Sequence, residues 1–73
     1  MNQRLKLLYL ADIRFPLERA NGIQTMEACH AAASFGHDVT LLVRADTKRP
    51  SRDPFDFYDL RRIENLHVCQ VQV

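Results

Sequence analysis

The side chains best suited to meet a ligand are Asp12, Arg14 and Arg44, together with the stretch Asn21-Gly22-Ile23-Gln24. A carboxylate and two guanidiniums offer acceptors and charged donors to a polar substrate. Backbone N–H groups around Gly22–Gln24, with a helix dipole behind them, favour an anion such as phosphate. Gly22 lets a ligand approach the backbone closely, although a lone glycine serves equally to turn the chain. Arg14, Glu18 and Arg19 either bind substrate or solvate a loop. The sequence holds neither the GxGxxG dinucleotide fingerprint nor the P-loop pattern, which counts against NAD-dependent and nucleoside-triphosphatase chemistry.

Nothing in the remaining reactive residues nominates a catalyst. His30, His37 and His67 have no acid or nucleophile at a catalytic spacing and are read as structural. Cys29 and Cys69 stand far apart and match no metal spacing, so both are expected to be reduced, buried thiols. No metal and no cofactor is expected.

These residues must be positioned by an α/β framework. Leu5–Ala11 (LKLLYLA) is almost continuously apolar, as a strand buried on both faces of a parallel sheet would be. Asp12 marks its expected end, and Ile13–Gly22 reads as a loop in which Pro16 disfavours helix for Phe15 and Asn21-Gly22 signals a turn. From Ile23 to Phe35, Met26, Cys29, Ala32 or Ala33 and Phe35 recur at helical spacing, and Gly36 follows as the glycine that ends the helix. Asp38–Val43 (DVTLLV) is a second strand. Strand, helix and strand make one βαβ unit, expected to be right-handed with parallel strands. That topology puts the loop after the first strand, and Arg44, at the sheet edge where open α/β folds bind ligands.

Arg44–Pro54 (RADTKRPSRDP) reads as an exposed polar loop. Phe55–Arg62 suits a short helix with Asp53 as N-cap and Pro54 at the first helical position. His67–Val73 alternates polar and apolar residues, with Val68, Cys69, Val71 and Val73 as its apolar members, and reads as a third strand nearer a sheet edge than the first.

The bulk composition fits this framework. The 73 residues suffice for one small domain or part of a larger one, and 47% hydrophobic with 26% charged residues argues against disorder. A net charge of +1 gives no electrostatic case for a nucleic-acid partner. No apolar run approaches the ~18–20 residues of a membrane span, and MNQRLKLLYLAD reads as a strand rather than a signal peptide, so a cytoplasmic chain is expected. One good helix cannot cover both faces of a parallel sheet. One face should stay under-covered and invite self-association, and the sequence is expected to be the opening of a longer enzyme rather than a marginal mini-domain.

The opening LKLLYLADIRFP, the Asn21-Gly22-Ile23-Gln24 turn and the stretch AAASFGHDVTLLVR resemble the N-terminal segment of glycosyltransferase family 4 proteins. The resemblance is good over roughly residues 4–44 and loose beyond. Gly36-His37-Asp38-Val39 is shared with other Rossmann-like proteins, and its combination with NGIQT is what makes it specific. The resemblance implies the GT-B arrangement, two Rossmann-like domains facing across a cleft. The N-terminal domain then binds mostly the acceptor, a glycan or lipid-linked molecule, and the C-terminal domain mostly the nucleotide-sugar donor. The glycine-rich turn after the first strand approaches the donor diphosphate, which matches Asn21 and Gly22, with Asn-Gly standing where double glycine is commoner. Lipid-linked acceptors leave room for a place at the inner face of the membrane. The donor-binding acidic motif and the catalytic residues of that family have no counterpart within these residues.

The fold expected is therefore a Rossmann-like three-stranded parallel sheet, order 3-2-1, with one main helix, as a partial domain over residues 1–73. The function expected is the acceptor side of a retaining glycosyltransferase that transfers a hexosyl group from a nucleotide sugar, inactive by itself. The alternative is a non-enzymatic α/β module that binds a phosphorylated ligand or a protein partner.

Overall fold

The computed structural model describes residues 4–16 and 19–72. Strand β1 (Lys6–Arg14), helix α1 (Ala20–Ser34), strand β2 (Asp38–Arg44), the single-turn helix α2 (Pro54–Phe57) and strand β3 (Leu66–Val71) follow in order. All pairing is parallel and the sheet order is β1-β2-β3, which is 3-2-1 read from the other edge. Pairs in register share a sheet face. Leu7, Tyr9, Val39, Leu41, Leu66 and Val68 therefore look toward α1, whereas Leu8, Leu10, Thr40, Leu42, His67 and Cys69 look the other way.

The core lies between α1 and β2. Met26, Cys29 and Ala33 of the helix meet Val39, Leu41 and Val43 of the strand, with Phe15, Phe55 and Leu66 closing the sides. The buried stripe of α1 runs Gly22, Thr25, Met26, Cys29, Ala33, as a 3.6-residue period requires. Phe35, expected on that stripe, is 79% exposed. It lies about 200° round the helix from Ala33, on the solvent side. The helix ends as expected: Gly36 adopts φ +96°, its amide donates to Ala33 O, and the His37 amide donates to Ala32 O. That pair of bonds is a Schellman motif.

Three boundaries differ most from expectation, the others by one or two residues. Strand β1 continues to Arg14 rather than stopping at Asp12, because a bulge absorbs two extra residues: Leu10 pairs with Leu42, and Arg14 with Arg44. The detour lets Ile13 pack on the core and buries Phe15 fully. Helix α1 begins at Ala20, so Asn21-Gly22 is its first turn and not a separate turn. Intrinsic propensity is a weak bias that tertiary contacts override, and the buried Gly22, Thr25 and Met26 fix the helix here. Helix α2 stops at Phe57 instead of Arg62, since Asp59 takes the left-handed conformation at φ +56°. Its start is as expected, with the Asp53 side chain accepting from the Phe55 amide at 2.9 Å. Val73, expected in the last strand, lies outside the described residues.

Strand β1 is not buried on both faces. Leu8 and Leu10 are 65% and 66% exposed, and Leu7 and Tyr9 are also open. No described element covers the face opposite α1, and α1 sits over β2, so the most apolar strand is a sheet edge. The under-covered face is thus observed.

Candidate functional site

The C-terminal ends of β1 and β2 bring three of the expected site residues together. Asp12 Oδ1 lies 2.6 Å from Arg44 Nε. Arg14 is the register partner of Arg44, and its Nη1 donates to Ala45 O at 3.5 Å. Adjacent guanidiniums repel across a strand pair, and Asp12 offsets that repulsion. The pair is well exposed, so it adds little to stability and remains accessible to a ligand. Beneath it, Leu10, Leu42 and Val71 floor a shallow depression of about 330 Å³ on the uncovered face. An apolar floor with the Asp12 carboxylate and the Arg44 guanidinium at its rim can receive a molecule that is apolar on one side and hydroxyl-bearing on the other.

The second set is placed differently. Asn21, Gly22, Ile23 and Gln24 all belong to α1. Gly22 is buried, and its amide and that of Ile23 both donate to Arg19 O, at 3.0 and 3.2 Å. These two N–H groups are therefore not available to an anion, contrary to expectation; helix geometry leaves the amides ahead of them, Ala20 and Asn21, outside the ladder. Ile23 turns toward Glu27, Phe57 and Tyr58 across a separate cavity of about 380 Å³. Among the described residues, no hydrogen bond or ion pair joins Asn21 or Gln24 to Asp12 or Arg44. Glu18 lies outside the described residues, and Arg19 is the exposed N-cap residue, without a side-chain cap bond.

The loop after β2 is not simply exposed. Asp46 is buried and accepts from the amides of Lys48 (3.2 Å) and Arg52 (2.9 Å), and from Arg52 Nε (2.9 Å) and Nη2 (2.8 Å). The Arg52 side-chain hydrogen bonds hold its carboxyl far below the usual carboxylate range, overcoming the opposite effect of burial. Arg52 Nη2 continues to Pro16 O at 3.3 Å, tying this loop to the one after β1. The same edge is stitched by Phe15 N–H to Arg44 O, Ala45 N–H to Val71 O, and Gln70 Nε2 to Phe15 O at 2.6 Å. Asp46 is thus the organiser of the edge that carries Asp12, Arg14 and Arg44. Its one sequence signal is the aspartate two residues ahead of Lys48, the spacing of an Asx turn.

The other reactive groups are structural or isolated. His30 Nε2 meets Arg61 O at 2.7 Å, and His37 Nδ1 accepts from the Leu5 amide at 3.1 Å. Asn65 Nδ2 donates to both Ala33 O and His37 O, locking the end of α1 to the start of β3. Burial pushes the Cys29 thiol up to about 11. Cys69 is exposed, not buried as expected, because its strand position faces the uncovered side of the sheet. Arg62 pairs with Asp53, whose carboxyl is lowered: burial would raise it, and the Arg62 and Phe55 donors prevail. Among the described residues, no group of three His, Cys, Asp or Glu could hold a metal ion, and no helix is long and apolar enough to cross a membrane.

No family model matches the chain, and no curated protein or solved structure matches it at a significant level.

Proposed function

We propose that the chain is the acceptor-side, N-terminal part of a retaining glycosyltransferase that uses a nucleotide sugar, built on a Rossmann-like half-sheet. The observation that carries this reading is the Asp12–Arg44 pair over an apolar floor at the C-terminal edge of parallel strands, with Arg14 as the register partner of Arg44. Crevices at that edge are where open α/β sheets bind ligands. In this reading Asp12 accepts from acceptor hydroxyls, Arg44 and Arg14 donate to acceptor oxygens, and the floor of Leu10, Leu42 and Val71 takes an apolar aglycone. The amides of Ala20 and Asn21, at the start of α1, approach the donor diphosphate. Preorganised positive charge of this kind stabilises a departing nucleoside diphosphate. The donor-binding half of the cleft is supplied by further chain, so the 73 residues alone transfer nothing.

The test combines turnover with calorimetry on the purified chain, using a panel of nucleotide sugars and a short-alkyl hexoside as acceptor probe. Hexoside binding that Arg44→Ala weakens, without donor turnover, is the expected result. Turnover by the chain alone, or hexoside binding indifferent to Arg44→Ala, overturns the reading.

A second reading is favoured by the uncovered sheet face. Leu8 and Leu10 expose about two thirds of their surface there, which suits a binding module as well as an enzyme part. Tight binding of inorganic phosphate with no hexoside binding would support the module.

A further inference from the structure

Helix α1 and the end of α2 bound the cavity of about 380 Å³ lined by Ile23, Glu27, Phe57 and Tyr58. Ile23 and Glu27 stand four residues apart, so both lie on one face of α1. The rest of the lining is two adjacent rings packed edge to face, with centroids 4.8 Å apart. Both rings are braced. Tyr58 leans on the fully buried Phe15 at 5.3 Å, and the Arg52 guanidinium lies over Phe57 at 4.8 Å. The walls are thus held by the fold before any ligand arrives, and the volume falls in the range of small-molecule pockets.

The lining also selects a charge. Among the described residues Glu27 makes no ion pair. Arg52, which reaches Phe57, is held by both oxygens of Asp46, at 2.9 and 2.8 Å, so its charge is already offset. His30, three residues on from Glu27, is engaged with Arg61 O. Among the described lining residues the one charge is therefore the Glu27 carboxylate. Aromatic rings carry electron-rich faces that likewise favour a cation over an anion. We propose that this cavity binds a small organic ammonium, a primary amine carrying an aryl or alkyl group. The ammonium sits on Glu27 and its apolar group lies against Ile23, Phe57 and Tyr58.

This site stands apart from the acceptor site. It shares no residue with the depression floored by Leu10, Leu42 and Val71, which lies on the opposite face of the sheet. It also lies away from β1. Helix α2 flanks β3, since Pro54 and Phe55 line a groove together with Leu66 and Val68. Further strands added beside β1 extend the sheet on the side away from β3 and leave the cavity between α1 and α2 open. The inference does not depend on the glycosyltransferase reading.

Three probes of nearly one shape test it: 2-phenylethylammonium, the neutral 2-phenylethanol and the anionic phenylacetate. Each is titrated into the isotope-labelled chain while amide shifts are followed. The ammonium is expected to bind with a Kd of about 1 mM and to shift Ile23, Glu27, Phe57 and Tyr58. It should bind about tenfold tighter than the alcohol, with phenylacetate weakest. Glu27→Gln should abolish that preference and leave the alcohol unchanged. Glu27 is exposed, so this variant keeps the fold, which its amide spectrum checks. Ile23→Ala should weaken the ammonium and the alcohol alike, by about threefold. Equal binding of ammonium and alcohol overturns the inference, as does a preference that survives Glu27→Gln. So do ammonium shifts centred on Asp12, no weakening in Ile23→Ala, or no ammonium binding up to about 20 mM. None of these readouts involves a hexoside or a nucleotide sugar, so the two proposals fail separately.

Discussion

Asp12 Oδ1 stands 2.6 Å from Arg44 Nε, bridging the last residues of β1 to the end of β2. The carboxylate is four-fifths exposed and the guanidinium nearly half, so the contact is a surface pair. Exposed pairs of this type contribute at most about 1 kcal/mol. Asp12→Asn and Arg44→Ala should therefore shift unfolding free energy by no more than about 1 kcal/mol, while weakening hexoside binding about tenfold. Parallel urea melts and calorimetry check both halves. A large loss of stability would make the pair structural instead.

Asp46 makes the opposite prediction. It is buried and holds Arg52 through both carboxylate oxygens, so Asp46→Ala should destabilise the fold by about 2–3 kcal/mol. Hexoside binding should weaken as well, because the loop that Asp46 folds follows Arg44 directly and is tied through Arg52 to Pro16 O, beyond the end of β1. Chemical denaturation and calorimetry on the same preparation report the two effects.

The same carboxylate sets an acid dependence. Its folded-state titration lies below that of the unfolded chain, chiefly through the Arg52 hydrogen bonds. The stability it contributes is complete above the unfolded carboxylate range, about pH 4, and is lost progressively as pH falls from there toward the folded value. Asp53 is lowered too and adds with the same sign. Urea midpoints at about pH 6, 4 and 3 should fall with acidity in the wild-type chain, and less steeply in Asp46→Asn.

The two thiols should separate cleanly. Cys69 is exposed, whereas Cys29 is buried with its thiol pushed up to about 11. At about pH 8 a maleimide should modify Cys69 rapidly and Cys29 only on the timescale of unfolding. Mass spectrometry of the labelled chain distinguishes single from double modification.

Gly36 carries the clearest local rule. At φ +96° it has open space around its Cα, so any cost of a side chain is conformational rather than steric contact. Gly36→Ala should destabilise by about 1–2 kcal/mol, measured by thermal or urea unfolding, with no effect on hexoside binding.

What the sequence made legible was local or periodic. The Gly36 cap, the Asp53-Pro54 helix start and strand β2 each follow from neighbouring residues, and each is where the sequence puts it. The parallel three-strand sheet and its uncovered face follow from the βαβ pattern and the shortage of helix. The bulge after Leu10 was not legible, because no local signature marks it; it exists to reach the core with Ile13 and Phe15. Asn21-Gly22 reads as a turn by propensity, but the burial of Gly22 and Met26 makes it helix. Asp46 hid in a polar loop because its main partner, Arg52, meets it only after the loop closes. Exposure of Cys69 and of β1 depends on what covers the sheet, which no local pattern encodes. Within the site, Asp12, Arg14 and Arg44 were found through their shared sheet edge, and the helix residues were separated from them by the earlier start of α1.

The most direct measurement is a map of amide shifts in the isotope-labelled chain on titration with a short-alkyl hexoside and, separately, with a nucleoside diphosphate. The account predicts hexoside shifts centred on Asp12–Arg14 and Arg44–Ala45, extending to Leu42 and Val71, and diphosphate shifts at Arg19–Asn21. Hexoside shifts confined to the cavity of Ile23, Glu27, Phe57 and Tyr58, or no shift at Asp12 and Arg44 at saturation, would contradict it.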